Sequence, residues 1–77
     1  MNENPTQEGL LVRAEPLERA QEISQRMVDV VRLGNGALLL KADPKLAGAI
    51  KKVLAKKGVW VKEIRKQSTA AAERLIA

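Results

Sequence analysis

The sequence predicts a small single-domain α/β fold: a βαβαβ sheet with two packed helices, followed by a C-terminal helix. Three observations predict it. Short apolar runs near residues 10–14, 37–42 and 59–65 alternate with two longer segments whose apolar residues recur every three or four positions. Each longer segment opens on a proline (Pro16, Pro44) and is followed by a glycine (Gly34, Gly58), the usual punctuation of a helix. Finally, strands joined by helical crossovers of about a dozen residues pair in parallel with right-handed connections.

Residues 1–8 are polar, without apolar period, and are expected to form a flexible tail. The α/β core is assigned to 9–66 and the C-terminal helix to 67–77. Gly9 punctuates, and Leu10, Leu11 and Val12 begin the first strand, which ends near Ala14. Glu15-Pro16 starts the first helix, with Glu18 and Glu22 near its positive end. Leu17, Ala20, Ile23, Met27, Val30 and Val31 form its apolar stripe.

Residues 28–40 admit two readings. In one the helix runs to Leu33 and Gly34 caps it. In the other the helix ends near Met27, and residues 28–33 are the first arm of a hairpin turning at Asn35-Gly36. Met27 and Val31, four apart, continue the stripe, and Val31 breaks the strand-like alternation that Val28 begins. The helix reading is preferred on that ground.

Residues 37–42 are nearly all apolar, the pattern of a strand covered on both faces. Asp43 then caps a second helix, Pro44 occupies its first turn, and Leu46, Ala47, Ala49, Ile50, Val53 and Leu54 share one arc. Val59, Trp60 and Val61 open a third strand. Ser68 or Thr69 caps the alanine-rich final helix.

Composition excludes several classes. The 77 residues make one domain, burying roughly 60–65% of the surface the unfolded chain exposes. Cysteine and histidine are absent, so thiolate or imidazole metal sites and a near-neutral proton shuttle are not expected. No serine, threonine or carboxylate stands beside a recognisable activating base, so the protein is read as no enzyme and as needing no cofactor or metal. No apolar run reaches the roughly 18 residues that cross a bilayer, and the acidic N-terminus is unlike a signal peptide; a cytoplasmic protein is expected. A homodimer is also expected, because so small a core without staples gains stability by associating.

The charge is divided along the chain. Residues 1–38 carry four basic and six acidic groups, whereas 39–77 carry ten basic and three acidic, giving +5 together. That asymmetry points to an anionic partner, above all nucleic acid, duplex DNA or RNA. The candidate binding residues are Lys41, Lys45, Lys51, Lys52, Lys56, Lys57, Lys62, Arg65 and Lys66, with Lys45, Lys52 and Lys56 forming a stripe opposite the apolar arc of the second helix. The alternative is a protein–protein interaction or assembly module docking an acidic partner. Trp60 is the only aromatic residue, which argues against a multi-ring platform for stacked bases. Two readings stand for it: insertion into a groove or stacking on a base, and, preferred for a residue between Val59 and Val61 at a strand start, a core or dimer contact.

Three pieces carry a family resemblance: Leu38-Leu39-Leu40-Lys41-Ala42, then Ala49-Ile50-Lys51-Lys52, then Val61-Lys62-Glu63-Ile64-Arg65. In this order the stretch 38–65 resembles part of the Alba family of small basic chromatin and RNA-binding proteins. The resemblance implies a dimer that lays basic loops and a helix end along a duplex. Arg13-Ala14-Glu15 stands where that family carries paired lysines. The order of elements also resembles small sulfur-carrier proteins, but Ala14-Glu15-Pro16 replaces their thiol-bearing motif, which excludes persulfide chemistry.

Overall fold

The apolar runs become strands as expected, yet they pair in a different order. The structure is a computed structural model and describes residues 8–68. Its elements are β1 (Glu8–Glu15), α1 (Leu17–Gln25), β2 (Asp29–Arg32), β3 (Leu38–Lys41), a 3₁₀ turn (Pro44–Leu46), α2 (Ala47–Lys56) and β4 (Trp60–Ser68). The sheet order is β2-β3-β1-β4, and every neighbouring pair is antiparallel. This is the split βαβ, ferredoxin-like order of elements.

Two expectations are corrected here. The first helix does not reach Leu33. It ends at Gln25, where the amides of Met27 and Val28 both donate to the Ser24 carbonyl (2.9 and 3.0 Å) and the chain leaves the helical path. Residues 29–41 then form the hairpin, with Leu33 donating to the Ala37 carbonyl at 2.9 Å and Gly36 at φ +81° taking the left-handed position of the turn. The broken alternation at Val30 and Val31 has a physical cause. Val30 packs against the cluster under the helices and Val31 against a second cluster on the other face, so both are half-buried.

The second correction concerns pairing. The crossover through α1 does join two strands of the same direction, β1 and β2. They are not neighbours, because the hairpin folds β3 back between them, and the three-strand parallel βαβαβ sheet becomes four antiparallel strands. Glu8 opens β1, and Gln67 and Ser68 close β4, so neither end of the core lies where it was drawn. The rest of the expected tail (1–7) and of the C-terminal helix (69–77) falls outside the described residues.

Both helices cover one face. Leu10, Val12 and Ala14 of β1, Leu38 and Leu40 of β3, Ala20 and Ile23 of α1, and Ile50 and Leu54 of α2 form the main core. On the other face Leu11, Leu33, Ala37 and Leu39 make a smaller buried cluster. Among the described residues no helix is long and apolar enough to cross a membrane.

Candidate functional site

Asp43 sets the start of the lysine-bearing element. Its Oδ1 accepts the Lys45 amide at 2.9 Å, Pro44 fixes the first turn, and the 3₁₀ turn runs into α2. Burial of Ile50 and Leu54, with Ala47 and Val53 half-buried, fixes the rotation of the helix. Lys45, Lys51, Lys52, Lys56 and Lys57 are consequently all exposed. Among the described residues none of the five makes an ion pair. From Lys45 to Lys56 the row rises about 17 Å, at roughly 1.5 Å per residue with a tighter first turn. A duplex presents about five phosphates per strand over that length. Arg19 of α1 adds a guanidinium at the far end, where its Nε donates to the Lys57 carbonyl at 3.0 Å.

The remaining candidates do not join this row. Lys41 lies at the end of β3, in register with Asp29. Lys62 Nζ sits 2.7 Å from Glu15 Oε2, and Lys66 Nζ sits 3.4 Å from Glu8 Oε2. Arg65 Nε is 3.0 Å from Glu63, which also holds Arg13 at 3.3 Å. Alternation along the paired strands puts Arg13, Glu15, Glu63 and Arg65 on the face away from the helices, since their neighbours Val12, Ala14 and Ile64 belong to the core under them. The expected single surface is therefore two: an unpaired row on the helix layer, and a set of strand cations matched to carboxylates.

Trp60, expected as a core or dimer contact, lies outside the core. Trp60 is 65% exposed. It lines an open cleft of about 720 Å³ with Arg13, Glu15, Pro16, Gly36 and Lys62. The register shifts between Arg13 and Ala14, so Lys62 is an extra residue in β4. Its Nζ lies 5.4 Å from the centre of the indole ring, within cation–π range. Arg13 Nη1 donates to the Asn35 carbonyl at 3.2 Å and braces the hairpin turn against the cleft. The sequence did hold a signal for this placement. If Val59 and Val61 face the core, strand alternation turns Trp60 away from it.

Among the described residues no group of three or more carboxylates is placed to hold a metal ion. Compared with family models, curated proteins and solved structures, the chain gives no significant match.

Proposed function

We propose that the protein is a non-catalytic nucleic-acid-binding protein that engages the phosphate backbone through Lys45, Lys51, Lys52, Lys56 and Lys57. One observation carries the reading: five exposed ammonium groups follow one short helical element, and among the described residues no carboxylate pairs with any of them. Fixed cations of this kind bind polyanions by releasing condensed counterions, without sequence preference. All five lie inside the stretch 38–65 that resembles Alba proteins. We further take the protein to be a cytoplasmic homodimer, the dimer following from its small single core.

Titration of a random-sequence duplex at several salt concentrations tests the proposal. Four or five engaged phosphates give a slope of log K against log salt of about −4. A flat salt response, or no binding at low salt, removes it.

A further inference from the structure

We infer, building on the nucleic-acid reading above, that the Trp60 cleft takes one unstacked nucleobase, so that the preferred ligand is single-stranded. Among the described residues the most exposed large hydrophobic side chain is that of Trp60, 65% accessible at the start of β4. Lys62 lies over the ring at 5.4 Å, fixing its orientation from one side. The groups around the cleft are balanced in charge: Lys62 is held by Glu15 at 2.7 Å, and Arg13 by Glu63 at 3.3 Å. A balanced cleft with a flat apolar surface suits a neutral aromatic ring better than it suits a phosphate.

The phosphates have their own place just outside. Lys56 and Lys57 end α2, and only Gly58 and Val59 separate Lys57 from Trp60, a span of at most about 11 Å. Arg19, bonded to the Lys57 carbonyl, stands at the same end. Exposed ammonium groups thus stand three and four residues along the chain from a stacking ring, and cations combined with an aromatic ring hold single strands without sequence preference. In a duplex each base has both faces occupied, whereas an unpaired base offers one to the indole. A single ring holds a single base, so the preference is modest.

Trp60 is also the sole fluorophore of its kind in the chain, which makes the test direct. An oligothymidine strand, a duplex of the same length and inorganic polyphosphate are titrated at low salt, followed by anisotropy or competition and by tryptophan emission. The expected result is quenching by the single strand and tighter binding of it than of the duplex. Trp60→Ala should weaken single-strand binding by about five- to a hundredfold, leaving polyphosphate affinity unchanged and the circular dichroism intact. Binding of the strand with unaltered emission, and with equal affinity for Trp60→Ala, overturns the inference while leaving the backbone reading standing. Equal losses for polyphosphate and oligothymidine also overturn it, since the ring would then act through something other than bases. No binding of any polyanion overturns both.

Discussion

The two charged regions of this molecule are built on opposite rules. Across β1 and β4, acids and bases meet in turn: Glu8 with Lys66, Glu63 with Arg13 and Arg65, Glu15 with Lys62. Opposite charges across paired strands contribute a few tenths of a kcal/mol each and help hold register. Along α2 the rule is reversed. Lys52 and Lys56 stand four apart on one helix face, an arrangement that costs about 0.2–0.5 kcal/mol, and among the described residues no acid pairs with either. A cation that neither pairs nor packs contributes little to the fold it sits on. Charges that serve the sheet are thus separated from charges that are exposed and, among the described residues, unpaired.

The largest effect expected anywhere is on the anchor that joins α2 to the sheet. Leu54 is fully buried between α2 and the strands. Leu54→Ala should remove about 2–5 kcal/mol of stability and lower the urea midpoint sharply, and with it any function of the row above. The next effect is on binding alone. Lys52→Gln with Lys56→Gln should reduce the salt slope for duplex binding by about two, with no loss in the urea midpoint. A fall in both would mean that these lysines support the helix and would merge the two regions into one.

How much of this was legible in the residues follows from the physics of each signal. Asp43-Pro44 is a local device, and it starts its helix where the sequence placed it. The apolar arc is also local and holds in part: Ile50 and Leu54 are buried and Ala47 and Val53 half-buried, whereas Leu46 and Ala49 are exposed. Val30 and Val31 misled because alternation marks a strand only when one face is buried, and β2 lies between two apolar clusters. The Asn35-Gly36 signal pointed the other way, and it prevailed once β3 had a neighbour on each side. Pairing of Glu8 and Glu15 with Lys66 and Lys62, separated by 58 and 47 residues, depends on the β1–β4 register and has no local trace. Summed charge along the chain therefore overstated the cationic surface.

That register supplies a smaller, sharper prediction. Glu63 is shared by Arg13 and Arg65, both partly exposed, so its removal should cost less than about 1 kcal/mol. Glu63→Gln should, however, free two guanidinium groups held in place by Asn35 and Gln67. If pairing is what silences the sheet face, the salt slope for polyanion binding should steepen by about one. An unchanged slope would show that this face stays out of reach of the ligand for a reason other than neutralisation.

The smallest effect tests the helix itself. Lys52→Glu places a carboxylate four residues before Lys56, the favourable order for an ion pair along a helix. Like-charge repulsion is replaced by attraction, so stability should rise by about 0.4–1 kcal/mol when both contributions are counted. Duplex affinity should fall in the same variant, because one cation is lost and a second is occupied. Urea denaturation and the salt titration, run on the same preparation, give the two signs. Opposite signs are expected where charge has been kept unpaired against the interest of the fold. A variant that is both more stable and equally avid would mean that the row has no polyanion to serve.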